Sequence, residues 1–199
     1  MEFNVGYFEV VGLDKALKAS GNPMRTEMAQ GKADDKDFKR AKILGTAATG
    51  SGHDNFLKGI VVYFDVTAPL YWWKQAQRYH FMEFISSQST MHSLMKFDVK
   101  TQCVKETNKE VLKIVSSMIK SFQKESNEKK KAKMWKEIVA SLPCGFCLGA
   151  SMVTNYQQLK TIYYQRRYHK LKEWHVFCDW ILSLPHFKEF CIKEELNEK

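Results

Sequence analysis

The sequence predicts an α/β (α+β) chain in which a small sheet is served by long helices. Three observations carry that reading. Only two runs, YFEVVGL (7–13) and IVVYFDV (60–66), have the β-branched and aromatic density of strands. Elsewhere apolar residues recur at helical spacing, most regularly Val111, Ile114, Val115, Met118 and Phe122. No internal repeat interrupts the pattern, and 199 residues with 44% hydrophobic content suit one globular domain over 1–199.

Taken in order, the strand at 7–13 leads to an Asn22-Pro23 turn and a polar stretch, read as loop, up to Asp37. A helix from about Asp35 to Ala48 follows, because acids at 34, 35 and 37 lie where the helix dipole favours them; Gly45 weakens its far end. The run 60–66 reads as a buried strand. Pro69 then suits the first turn of a helix running through Arg78 toward Ser86. Thr107 with Glu110 forms a capping-box pattern at the start of the most regular helix. A further helix through Met134 and Ile138 stops before Pro143, and a long one spans roughly 154–182 before Pro185.

Thirty-one Lys plus Arg against 22 Asp plus Glu leave a formal charge of +9, a field that attracts anions. The lysine-rich run KSFQKESNEKKKAKMWK (120–136) reads as a solvated helix-loop-helix, with a nucleic-acid footprint as the alternative. No apolar run is long enough to span a membrane, and no basic segment precedes the first apolar stretch, so a cytoplasmic protein is expected. Five irregularly spaced Cys predict reduced thiols.

The catalytic motifs of several classes are missing. Six His show no His-Glu-x-x-His, and no metal site is expected; there is no dinucleotide glycine fingerprint, P-loop or nucleophile elbow. PCGFC (143–147) has the spacing of a redox pair but lacks the strand-to-helix setting that would activate it, so two inert loop thiols are expected.

Two stretches are richer. On a continuous C-terminal helix, Leu159, Tyr163, Trp174, Phe177 and Ile181 share a stripe that Arg166, Arg167 and Lys170 enter. Cations there imply a buried carboxylate, an anionic ligand, or side chains reaching past the stripe to water. On a helix from Pro69, Leu70, Trp73, Phe81 and Phe84 form the apolar stripe while Gln75 and Arg78 lead to Ser86, Ser87, Ser89 and Thr90. A guanidinium, an amide and hydroxyls beside aromatic rings suit a nucleotide-like anion.

The same two stretches carry a resemblance. GHDNFLKGIVVYFDVTAPLYWWKQAQRYH (52–80) resembles, without a gap, the segment of flavin-dependent thymidylate synthases that ends in the signature Arg-Gln-Trp-x-Arg-His-Arg. LPCGFCLGASMVTNYQQLKTIYYQRRYHKLKEW (142–174) is similar to that family's late segment, with an Arg eleven residues after an Asn. The resemblance implies the family's fold, a homo-oligomer, expected to be a tetramer, with sites where subunits meet, and reductive methylation of dUMP or a related pyrimidine nucleotide with FAD. NADPH and methylenetetrahydrofolate are the implied co-substrates. Residue by residue it implies that Gln75, Arg78 and Ser89 contact the nucleotide, and Ser87, Gln88, Arg167 and Lys170 beside them complete the candidate nucleotide residues. It also implies that Arg166 grips and polarises the uracil as the catalytic residue and that Asn155 contacts the flavin, with Arg78, His80 and Thr161 as further candidates for holding it.

The departures are equally specific. Lys74 replaces the signature's first Arg, Ala76 its Trp, and Tyr79-His80 its His-Arg. Where the family reads Asn-Glu-x-Ser-x-Arg-Tyr this chain reads Ser86-Ser87-Gln88-Ser89-Thr90-Met91-His92, and Met91 cannot replace a forked guanidinium. These losses keep a second reading open, a catalytically silent homologue that binds, senses or sequesters a nucleotide. A basic nucleic-acid-binding module is the third.

Overall fold

The computed structural model describes residues 1–193. Strand β1 covers Asn4–Val11 and ends at Gly12, whose φ of 82° a side chain would strain; a Cβ there would stand 2.3 Å from the Gly59 carbonyl oxygen. Helix α1 (Leu13–Ala19) follows, burying Ala16 and Leu17. The strand thus begins and ends earlier than the expected 7–13, and α1 fills the segment before the Asn22-Pro23 turn, where no helix was expected. A single helical turn at Asn22–Met24 occupies the expected Asn-Pro turn. Helix α2 (Asp35–Gly45) starts as its acids predict. The Asp34 carboxylate accepts from Asp37 N, and the Asp37 carboxylate from Asp34 N.

Strand β2 (Val61–Pro69) buries Val62, Phe64, Val66 and Ala68 and turns Tyr63 and Asp65 outward. The run read as wholly buried is therefore one-faced. Helix α3 (Leu70–Ala76) is much shorter than the helix expected to reach Ser86, and residues 83–87 instead form strand β3 (Glu83–Ser87). The proposed helical stripe fails with it, since Phe81 is 60% exposed. The aromatic crowding of this stretch has a packing explanation: Trp72 meets the Phe3 ring, Trp73 meets Phe84, and the Trp73 indole N–H donates to the Ala68 carbonyl at 3.0 Å.

Short helices α4 (Thr90–Ser93) and α5 (Val99–Gln102) lead to α6 (Lys109–Lys124) and α7 (Glu128–Ala140). α6 is where its periodicity put it, but its cap is Asn108, which accepts from Glu110 N at 2.8 Å; Thr107 lies outside. The lysine-rich run occupies the end of α6, the link and α7, with its lysines largely exposed. Strand β4 (Cys147–Asn155), helix α8 (Tyr156–Arg166), helix α9 (Lys172–Ser183) and helix α10 (Phe187–Cys191) complete the chain. The single helix expected over 154–182 is thus two. Asn155, extended at φ −140°, ends the strand and caps α8, and the chain unwinds after Arg166 before Leu171 caps α9.

The four strands form an antiparallel sheet in the order β1-β2-β4-β3. The described residues group into two compact units. One holds residues 1–6, 65–78 and 84–151; the other holds 7–64, 79–83 and the chain from Met152 onward. The first has a core of Leu94, Val99, Val115, Ile119, Ile138 and Phe146 between α5, α6 and α7. In the second, Leu17, Leu57, Leu159, Trp174, Phe177, Ile181 and Phe190 are buried. Each such side chain contributes about 1.5–3 kcal/mol on leaving water. Among the described residues no helix is long and apolar enough to cross a membrane.

Candidate functional site

The first unit carries a polar cleft of about 330 Å³ on the open face of the sheet. Alternation builds it: with Val66 and Ala68 turned to the core, Asp65 and Thr67 of β2 point the other way, as do Gly149 and Ser151 of β4. Asn4 and Gly6 of β1, with Ser86, Ser87 and Gln88 from β3 and the residue after it, add to the lining, which Val66 and Ala150 also border. Gln88 is clamped at two points, donating its backbone N–H to the Gly149 carbonyl and accepting from Gly149 N through Oε1, both at 2.8 Å. Ser151 Oγ donates to Asp65 Oδ1 at 2.5 Å. The lining holds a carboxylate and no Lys or Arg, so it suits hydroxyl, amide or imide groups better than a phosphate.

The second unit carries an arginine-aromatic cluster at the end of α8. Arg166 Nε donates to the Tyr79 hydroxyl at 2.7 Å. Its guanidinium lies 4.7 Å from the Trp174 ring centre and 5.5 Å from that of Tyr79. Tyr79 meets Trp174 edge-on and donates its own proton to Gln165 Oε1 at 3.1 Å. Arg167 sits over Tyr164 and Tyr168, at 5.0 and 4.9 Å. A helix C-terminus favours these cations. Next to them His169 Nδ1 accepts from Leu171 N at 3.1 Å, which puts the ring proton of the neutral form on Nε2. Burial, then the charges of Arg166 and His175, push its pKa below the ordinary value.

Solved structures identify the architecture. Over 97% of its length the chain matches the whole of flavin-dependent thymidylate synthase ThyX from Helicobacter pylori, complexed with FAD and dUMP, at a TM-score of 0.71 and 16% identity. The chain has the flavin-dependent thymidylate synthase fold. A second structure of that enzyme with FAD and dUMP matches at a TM-score of 0.70 and 15% identity, covering 97% of this chain and 98% of the other. A UMP/dUMP methylase, PolB from Streptomyces cacaoi, bound with 5-Br dUMP, matches at 0.62 and 10% identity over 90% of this chain and 88% of its own. No family model matches the sequence, and no curated protein matches it.

Within the thymidylate synthase fold, the residues singled out from sequence occupy different settings. Ser87 and Gln88 line the cleft. Ser89 caps α4, accepting from Met91 N at 3.1 Å, and Gln75 lies in the last turn of α3, with Arg78 exposed just beyond. Arg166 joins the aromatic cluster with Arg167, while Lys170 is exposed nearby in sequence. His80 is exposed; Asn155 Oδ1 accepts from Gln158 N at 2.9 Å and Thr161 Oγ1 donates to the Gln157 carbonyl at 3.2 Å. The stripe that Arg166 was expected to enter is replaced by ring faces and a phenol.

Sequence reasoning missed three groups. Tyr79 and Trp174 were visible only as a signature departure and as a core residue. The third is a sealed pair: Lys160 Nζ donates to Asp54 Oδ2 at 2.8 Å and to the carbonyls of Gly45 and Ala47 at 2.7 and 2.6 Å. Their side chains are 3% and 0% exposed, and Gln157 Nε2 donates to the other Asp54 oxygen. The two thiols of PCGFC differ: Cys144 is exposed in a turn, and Cys147 is buried at the start of β4. Burial pushes the Cys178 thiol up to about 12.

Proposed function

We propose that this chain binds a pyrimidine deoxynucleotide of the dUMP kind and methylates its base reductively. A folate donates the one-carbon unit, and a nicotinamide donates the hydride that brings it to the methyl level. The observation that carries the reading is the full-length match of fold to an enzyme whose solved structure holds FAD and dUMP. The arginine-aromatic cluster supports it. A guanidinium directed at a uracil carbonyl polarises the ring and would stabilise negative charge that collects on that oxygen. Arg166 is assigned that role, with Arg167 and Lys170 supplying positive field. Gln75, Arg78 and Ser89 are assigned to the nucleotide, and Ser87 and Gln88 to its neutral parts, since the cleft they line carries a carboxylate.

FAD is the implied cofactor, and the chemistry of the assigned donors fits it. The exposed Arg78 and His80 suit a diphosphate. Asn155 bonds through its oxygen and keeps an amide N–H to donate, and the Thr161 hydroxyl, which donates within α8, can still accept. When bound, the flavin relays the hydride. The chain acts as one domain over 1–199, as strands β1, β2 and β4 each give residues to both units. It assembles as a homotetramer, consistent with exposed Tyr7, Phe81, Ile85 and Tyr168. The reaction places it in the cytoplasm, with its nucleotide and folate.

Calorimetric titration of dUMP, dTMP and a purine nucleotide, with the visible absorption of the purified protein, tests the reading. Selective dUMP binding by a yellow protein that releases tritium from C5-labelled dUMP supports it; failure to bind any pyrimidine nucleotide overturns it. The signature losses favour one rival: Tyr79 stands where the family carries a flavin-holding His, and its hydroxyl is engaged by Arg166. A silent nucleotide binder of that kind would bind dUMP while remaining colourless and releasing no tritium.

A further inference from the structure

We propose that Tyr79 is the positioning residue of Arg166, a tether that replaces the family's His at this place and fixes the guanidinium before any nucleotide arrives; the inference rests on reading Arg166 as the nucleotide-gripping residue. An Arg at a helix terminus has many rotamers, and a guanidinium binds a carbonyl or phosphate well only when its plane and its donor edge are both set. Both are set here. The hydrogen bond from Nε to the Tyr79 oxygen fixes the rotation of the fork about its stem, and the Trp174 face fixes the tilt of its plane. A phenol can act in this way because its oxygen accepts from Nε while its own proton goes to Gln165 Oε1. Gln165 directly precedes Arg166 on α8, so the tether is anchored on the helix it serves. The edge-on contact of Tyr79 with Trp174 holds the phenol ring in place. Preorganisation of this kind lowers the ordering cost of binding.

The experiment compares Tyr79→Phe, which keeps the ring and removes only the hydroxyl, in wild-type and Arg166→Ala backgrounds. In the first, dUMP affinity is expected to fall about tenfold, as for loss of a hydrogen bond to a charged group. In the second, the same change is expected to move affinity less than twofold. An equal loss in both backgrounds overturns the proposal. A second readout needs no ligand: the Arg166 Nε–H nuclear magnetic resonance signal, assigned by its loss in Arg166→Ala, is expected to be protected from exchange in wild type and to exchange fast in Tyr79→Phe. An unchanged signal overturns the tether even if dUMP does not bind, an outcome that would separately refute the proposed function. Should Tyr79→Phe not fold, Gln165→Ala at its exposed site removes the anchor of the phenol proton. It is expected to weaken dUMP binding about threefold and to speed Nε–H exchange, and no change in either measurement counts against the tether.

Discussion

Lys160 and Arg166 stand on one helix and meet opposite surroundings. Lys160 is sealed, its ammonium shared among the Asp54 carboxylate and two backbone carbonyls. Arg166 is half-buried, with a phenol oxygen and two ring faces among the groups that orient it. The difference separates charge used for architecture from charge held in a direction. A buried ion pair closes a loop onto a helix and contributes only if both members stay. A half-buried cation at a helix end can still be reached from solution.

The comparison breaks most visibly at Lys160. Lys160→Met leaves the Asp54 carboxylate buried beside two unpaired carbonyls, and urea unfolding is expected to show a loss of about 3–5 kcal/mol. If the loss is below about 1 kcal/mol, the pair is not architectural. Arg166→Ala is expected to move stability little and to weaken dUMP binding roughly 30-fold or more; Arg166→Lys should recover little, lacking the fork. A large fall in melting temperature for Arg166→Ala would erase the contrast between the two residues.

A smaller effect comes from His169. Its folded pKa lies below the ordinary 6.5, so the unfolded chain takes up a proton that the folded chain refuses. Stability is therefore fully present above about pH 6.5 and declines as pH falls from there toward the lowered folded value. His169→Gln should flatten that part of the stability profile; a profile unchanged by the substitution assigns the slope elsewhere. The smallest effects belong to residues outside both groups. Cys144→Ser with Cys147→Ser, and Lys129→Ala or Lys130→Ala, should each leave dUMP affinity within about threefold, since screened surface charges and inert thiols do little at a distance. A specific loss in the double Cys variant, with folding intact, would reopen the redox reading of PCGFC.

Elements with strong local signals were legible: β2 from its β-branched run, α2 from its acidic start, α6 and α7 from their apolar spacing. β4 was not. Its open face carries Gly149 and Ser151, small residues that hide the alternation a strand should show. β3, EFISS, is exposed along its whole length, and its pairing depends on β4, far away in sequence. The resemblance put Arg166 on the list of site residues. The contacts of Tyr79 and Asp54 were not legible because they meet their partners across 87 and 106 positions of chain. Helical spacing brought Phe84 near Trp73 for the wrong reason: the rings do meet, but through a strand.

The sealed pair also makes Lys160 chemically silent. An amine must be reachable to be acylated, and this one is enclosed with its hydrogen bonds taken by Asp54, Gly45 and Ala47, unlike the exposed lysines of α6 and α7. In a folded sample treated with an amine-reactive label, those surface lysines become tagged while Lys160 stays bare. Its tagging then reports the opening of this part of the chain, a timer for local unfolding that the sequence carries without any engineered probe.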